Sequence, residues 1–563
     1  MINHLLIAVA VLSLSKLSSQ ISTKDDPSYI GAVVEYHPIT DGDDGQIIAE
    51  ANVNNYRTII RTAASYAVDI IVFPEFGVTS IPSVNARGKA FNASDYRAYY
   101  RTAASLIPDP KANEIPCDAA TLYAQSLKEI SCAAREYSMY VVVNHHERVE
   151  CPSRNCSPDG FLLYNTNVAF DRQGRLIARY RKYNLLEIGT NATREPVVST
   201  FSTDFGVTFG QLVGFDLLKE SPAVPMIGNP NVTDLVLSSR LYNEQPFLDS
   251  VQRHAAWAYA ADVNLLAAAY NSDLKGSGGS GIYAGKRGQL RVYHPGVPSN
   301  ALVVAEIPKL SGTRAGIPRQ GRSSLHVFKQ AEVPTISSSS AAVPKSEQNH
   351  THEDLAAYTS LPVDPKQSPH IVTLCDNGLC CEFHVETKFD EDLAKKQDGS
   401  VYYRYRFAVF SGVRQFAADQ TLGVEVCSIV SCAGDEIDKC GRLYPEGARV
   451  VEPTVFLALY VTRRADLGTR SFYSPTTATR ELLPINTTDF GFAIGGPESN
   501  SLLLAYLSRP TGNVAAFGIY GRRFDWDGQP PTRPSSAGTS VAPSVVVVAM
   551  MLLAVTTRCF ERY

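Results

Sequence analysis

Glu75 ends the run Ile70-Ile71-Val72-Phe73-Pro74-Glu75, and a carboxylate just past an apolar strand-like segment has the setting of a general base whose pKa is raised by its surroundings. Lys182 closes the run Ala178-Arg179-Tyr180-Arg181-Lys182, where an ammonium could stabilise an oxyanion developing on a substrate. Taken singly, a loop glutamate and one lysine among many read more simply as solvated surface groups. A third position, Gly214, closes the apolar run 205–213 and leads into Phe215-Asp216. All three fall at or just beyond the ends of strand-like runs, where α/β folds place reacting groups.

The segments that must position them alternate between strand and helix. From Tyr29 to about Pro308, strands are predicted at 30–36, 69–73, 140–144, 167–170, 176–180, 207–213, 235–238 and 265–270, with helices at 47–67 and 247–263. Asp171-Arg172-Gln173-Gly174 reads as a hairpin turn. A Ser-, Ala- and Pro-rich stretch at 337–346 breaks the pattern. Beyond it, residues 374 to about 526 carry cysteines, aromatics and turn residues in the manner of a mainly β domain. The division expected is a signal peptide at 1–20, an α/β domain at 28–310, a linker region at 311–365, a β-rich domain at 366–530 and an anchor signal at 535–563.

These segments resemble the nitrilase superfamily of carbon-nitrogen hydrolases, and within it the vanin and biotinidase branch. The resemblance rests on Tyr164-Asn165-Thr166-Asn167-Val168, on the turn and strand leading to Lys182, on Phe215-Asp216-Leu217-Leu218 followed by Pro222-Ala223-Val224, and on Gly279-Ser280-Gly281-Ile282-Tyr283. It covers residues 28 to 310 strongly and the remainder as the β-rich base domain of those proteins. The fold it implies is α/β, a nitrilase-type α-β-β-α sandwich followed by a smaller, disulfide-bonded β-rich domain. The chemistry it implies is hydrolysis of a linear amide by a Glu, a Lys and a Cys through a thioester, with Glu75 at the general-base position and Lys182 at the oxyanion-stabilising position. No cofactor is implied.

The resemblance puts the nucleophile immediately before Phe215-Asp216, and Gly214 stands there with no side chain to attack a carbonyl carbon. No cysteine occurs between Cys156 and Cys375, so a shifted alignment supplies no substitute. No Gly-x-Ser-x-Gly elbow offers a serine instead. Gly276, Gly278 and Gly281 have a dinucleotide-fingerprint spacing but open no apolar-periodic helix, and His350 and His352 lie in a polar segment that reads as a solvated loop.

The ends of the chain speak of export. An apolar run at 5–14 followed by Ser18-Ser19-Gln20 reads as a signal peptide, too short to span a bilayer. Small residues from Ser535 and Ser536 to Gly538, ahead of the apolar tail 541–555, read as a glycolipid attachment signal, with a short single-span helix as the alternative. Candidate glycan acceptors are Asn92, Asn155, Asn191, Asn231, Asn349 and Asn486. Of eleven cysteines, Cys559 lies in the tail, leaving Cys117, Cys132, Cys151, Cys156, Cys375, Cys380, Cys381, Cys427, Cys432 and Cys440. In an oxidising compartment these read as five disulfides, four cysteines pairing within the N-terminal part and six within the C-terminal part. A zinc site from Cys427, Cys432 and Cys440 is the weaker reading, because the spacing fits no zinc pattern.

A net charge of -4 over 563 residues gives no nucleic-acid footprint, and 44% hydrophobic residues suffice for large cores. The expected protein is therefore an extracellular member of this branch, lipid-anchored at the outer face of the plasma membrane. It is expected to have lost amide hydrolysis and to bind a small amide-containing ligand or a partner. An active pantetheinase-like hydrolase and an adhesive surface glycoprotein are the alternatives; the oligomeric state is left open.

Overall fold

The computed structural model describes residues 21–532, apart from 41, 43, 83–90, 152–155, 158, 273–275, 311–320, 335–350, 397, 417–419 and 446. The signal-peptide reading at 1–20 and the anchor reading at Ser535 or Ser536 fall outside the described residues, as do the acceptors Asn155 and Asn349. The chain divides into two compact units, residues 1–351 with 481–487, and residues 352–480 with 488–563.

The first unit is built on β1 (Ser28–Tyr36), which alternates its side chains between two interiors. Ala32, Val34 and Tyr36 face a cluster with α1 (Gly45–Ala64) and α3 (Gln125–Glu136). Tyr29 and Val33 face a second cluster lined only by strands and loops. A strand buried on both faces must be apolar throughout, which is why this run carries almost no polar residue. Between α1 and α3 lies the shorter helix α2 (Ala93–Ala103), capped by Asn92. The helix α1 starts at Asp44, whose carboxylate accepts from the amides of Gln46 and Ile47, and buries Ile48, Val53, Tyr56, Ile59 and Ile60 at helical spacing.

Strands β2 (Ile70–Val72), β3 (Tyr140–Glu150), β4 (Phe161–Phe170) and β5 (Leu176–Arg181) extend the sheet from one side of β1. After β6 (Thr200–Ser202) and β7 (Thr208–Val213) come β8 (Asp234–Ser239) and the two-residue β9 (Glu244–Gln245). These are followed by β10 (Asn264–Tyr270), β11 (Ser280–Ala284), β12 (Gln289–Tyr293), β13 (Ala301–Pro308) and β14 (Ser323–Val327). The main path runs β5-β4-β3-β2-β1-β10-β8-β7-β6, parallel through β3-β2-β1-β10-β8-β7. After the short α4 (Ala223–Ile227), the helix α5 (Ser250–Ala261) packs on β11, giving the helix-sheet-sheet-helix layering expected. Asp171–Gly174 forms the β4–β5 turn, with Gly174 at φ 76°.

Several expectations need correction. The 167–170 strand begins at Phe161. The 140–144 strand runs on through Glu150, because His145, His146 and Glu147 are buried polar residues that find partners there. The stretch 311–365 is not simply a linker. It contributes β14, paired with β13, and the strand Thr359–Pro362 of the second unit.

The second unit is formed by two antiparallel five-stranded sheets. One runs Thr359–Pro362, Arg404–Phe416, Gln420–Cys432, Ala516–Arg523 and Ser471–Ala478; the other runs His370–Asp376, Leu379–Phe389, Thr454–Ala465, Ser501–Leu507 and Phe490–Gly495. The disulfide Cys381–Cys427 joins the two sheets. Cys375–Cys380 and Cys432–Cys440 complete this unit, and Cys117–Cys132 and Cys151–Cys156 lie in the first. All ten cysteines thus pair within their own part of the chain. Cys427, Cys432 and Cys440 are consumed in disulfides, which rules out their zinc reading.

One buried carboxylate in the first unit makes stability pH-dependent. Glu35 accepts from Ser280 Oγ at 2.6 Å, from Asn271 Nδ2 at 2.8 Å and from the amide of Gly279, yet burial still pushes its pKa up to about 7. A folded-state pKa above the unfolded value means that this group stabilises the fold at low pH and loses that contribution as pH rises through about 7. Glu35→Gln is therefore expected to flatten the change in melting temperature between about pH 4.5 and pH 7. An unchanged pH profile in the variant would show that Glu35 does not set it.

Candidate functional site

Glu75 leaves β2 in the middle of the sheet, where three buried strand residues bring it to the edge shared with β7 and β8. Ser238 Oγ at the end of β8 donates to the carbonyl of Phe73 at 2.7 Å, tying these strand ends together. Lys182 follows β5, and its amide donates to the carbonyl of Asn165, continuing the β4–β5 ladder by one residue. The turn after it returns Glu187 to the same place.

The result is a closed polar square. Lys182 Nζ donates to Glu75 Oε1 at 2.6 Å and to Glu187 Oε2 at 2.8 Å. Asn165 Nδ2 donates to the same two carboxylates, at 2.8 Å to Glu75 Oε1 and 2.7 Å to Glu187 Oε1. Asn144 holds Asn165 in the required flip, donating from Nδ2 to Asn165 Oδ1 at 2.6 Å while its own Oδ1 accepts from the amide of Phe76. The side chains of Glu75, Lys182 and Glu187 are no more than 4% exposed.

Burial raises the pKa of Glu75, with Glu187 adding to the rise and Lys182 offsetting only part of it. For Glu187 burial also works upward, but Lys182 and the hydrogen bonds from Lys182 and Asn165 bring it below the usual carboxylate value. Lys182 lies above the ordinary lysine value, its burial outweighed by Glu187 and Glu75. The single ammonium thus cannot serve both carboxylates equally, and a proton entering the site settles on Glu75. This is the behaviour of a group able to take up a proton from a bound reactant. His146, stacked on Tyr100 at 4.0 Å between ring centroids, is driven down to about 3 by burial and stays neutral.

Gly214 opens the turn 214–218 after β7 in a left-handed conformation, φ 47°. Asp216 braces the turn by accepting from the Val213 amide, Tyr180 Oη and Asn184 Nδ2, the last at 2.7 Å. A Cβ at residue 214 would fall closer than 3.0 Å to Glu75 Oε2, nearer than real Cβ atoms come to any neighbour. The three residues singled out by sequence therefore meet.

Glu187, Asn144 and the pairing role of Asn165 were not foreseen. Asn165 sits in the Tyr164–Val168 motif, and Glu187 lies five residues after Lys182, but only the turn between them shows that both face Glu75. Among the acceptor asparagines, Asn92, Asn231 and Asn486 are exposed, while Asn191 is partly buried with Oδ1 accepting from the Leu163 amide and from Arg97. No cluster of metal-ligating side chains occurs among the described residues.

Residues 33–219 match the carbon-nitrogen hydrolase family, and residues 348–527 match the vanin C-terminal domain. Vanin-like protein 1 of Drosophila melanogaster is 32% identical over 486 residues, covering 84% of this chain and 82% of that protein. Vanin-like protein 2 of the same organism is 30% identical over 546 residues, covering 92% and 94%. A protein named pantetheinase from Homo sapiens is 28% identical over 397 residues, covering 69% and 70%.

Proposed function

Because the chain belongs to the vanin family of carbon-nitrogen hydrolases, we propose that it keeps the pocket of an amide hydrolase, has Gly214 at the nucleophile position, and acts by binding a ligand or partner rather than by turnover. The observation that carries this reading is the placement of Glu75 Oε2 in the space a side chain at 214 would need. Every cysteine among the described residues is in a disulfide, which leaves no neighbouring thiol to take over the attack. A water activated by Glu75 and Lys182 could supply on the order of 10² to 10⁴ in rate, short of the roughly 10⁶ or more typical of enzymes.

The ligand class that fits is a small amide, whose carbonyl oxygen would face Lys182 and whose N–H would face a carboxylate. The signals at 1–20 and 535–563, with the acceptor asparagines, support placement at the outer face of the plasma membrane under a lipid anchor. The intact square of Glu75, Lys182, Glu187 and Asn165 is what favours the rival, an active pantetheinase-like hydrolase.

Titration of free thiols in the folded ectodomain, residues 21–532, separates the two. Less than one thiol per chain is expected before unfolding and reduction. A full equivalent of reactive thiol in the folded protein would favour the hydrolase.

A further inference from the structure

Arg240 is the one cation of this site that no carboxylate engages among the described residues. It follows β8 directly, and the register pairs Ser238 with Val213 and Ser239 with Ala269, so it emerges between Gly214 and Tyr270. Its guanidinium lies 5.6 Å from the ring centre of Phe76, 5.1 Å from that of Tyr242 and 5.7 Å from that of Tyr270. Nη2 donates to Tyr242 Oη at 2.7 Å, while the buried Nε has no partner among the described residues. Glu75 acts on Arg240 electrostatically, but its hydrogen bonds go to Lys182 and Asn165. Three aromatic faces attract a guanidinium without using its N–H donors. What remains is a planar donor fork beside the polar square, the geometry that binds a carboxylate or phosphate through two parallel hydrogen bonds.

We propose that Arg240 makes the pocket selective for an anionic amide, one whose amide group lies against Glu75 and Lys182 while a carboxylate or phosphate on the same molecule pairs with the Arg240 guanidinium. This deepens the ligand-binding reading above and rests on it. The amide square alone would take neutral and charged ligands alike; Arg240 adds the discrimination.

The test is titration calorimetry of the 21–532 ectodomain with three probes, N-acetylglycine, its neutral analogue N-acetylglycinamide, and the phosphate ester of N-acetylethanolamine. At least one anionic probe is expected to bind about tenfold or more tighter than the neutral one, and the tighter of the two anions identifies the group preferred. Arg240→Gln is expected to bring the anionic probes to the affinity of the neutral one, and Arg240→Lys, which keeps the charge without the fork, to retain part of the gain. Circular dichroism of each variant shows that it is folded. Equal affinity for charged and neutral probes, or a preference that survives in Arg240→Gln, overturns the role of Arg240 but leaves amide binding standing. Failure of all three probes to bind removes the ligand-binding reading together with this one.

Discussion

Gly214→Cys is expected to release thiol from pantetheine at least about 10³-fold faster than the parent chain, while lowering stability by about 1–3 kcal/mol. The gain follows from the frame. Lys182 and Asn165 hold Glu75 by Oε1, leaving Oε2 without a hydrogen bond among the described residues and aimed at residue 214. A thiol placed there has a base beside it and an ammonium one hydrogen bond further on. The cost follows from the same geometry, because a φ of 47° is unfavourable for any residue with a Cβ, and the Glu75 carboxylate must move aside to admit one. The gain should stay below the roughly 10⁶ that a nucleophile is worth in an evolved hydrolase, since Glu75 is displaced from its resting contacts. Gly214→Ala is the control, with the same loss of stability and no thiol release. A folded Gly214→Cys as silent as Gly214→Ala would mean that the pocket has diverged beyond the missing nucleophile.

The second large effect is thermodynamic. Lys182→Met is expected to destabilise the fold by roughly 3–5 kcal/mol at neutral pH, because Glu75 and Glu187 are both buried and would face each other without their shared cation. The sign of the pH response distinguishes this from simple loss of packing. Without Lys182, burial and mutual repulsion raise both folded-state carboxyl pKa values above the unfolded one. The variant should then regain stability as pH falls from about 8 toward 5. At this site the parent should show no such gain from Glu187, whose folded pKa is already lowered and whose contribution is lost as pH falls. Urea titrations of both proteins across that range measure the difference. A loss under about 1 kcal/mol, or one independent of pH, would mean that the square is not a buried ionic network.

The sequence carried the fold through its apolar runs. Strands such as β10 are hydrophobic almost end to end because both faces are covered, and such runs announce themselves. The end of β3 did not, because His145, His146 and Glu147 look like a polar loop until Ser126, Thr79, Thr166 and Arg181 are seen to satisfy them. β14 was hidden in a stretch with no strong alternation, its pairing set by β13 rather than by its own residues. At the site, Glu75, Lys182 and Gly214 were legible because each ends a strand-like run. Glu187 and Arg240 were not. The first is brought in by a turn and the second by the register of three parallel strands, and neither leaves a local pattern in the chain.

The most direct measurement is thiol release from pantetheine by the purified 21–532 protein with Gly214 in place. No release above the uncatalysed rate, or at most a slow, non-saturating hydrolysis attributable to activated water, is the predicted result. Saturable turnover at a typical enzymatic rate, on the order of 1 s⁻¹ or faster, would contradict it and require another group to make the attack.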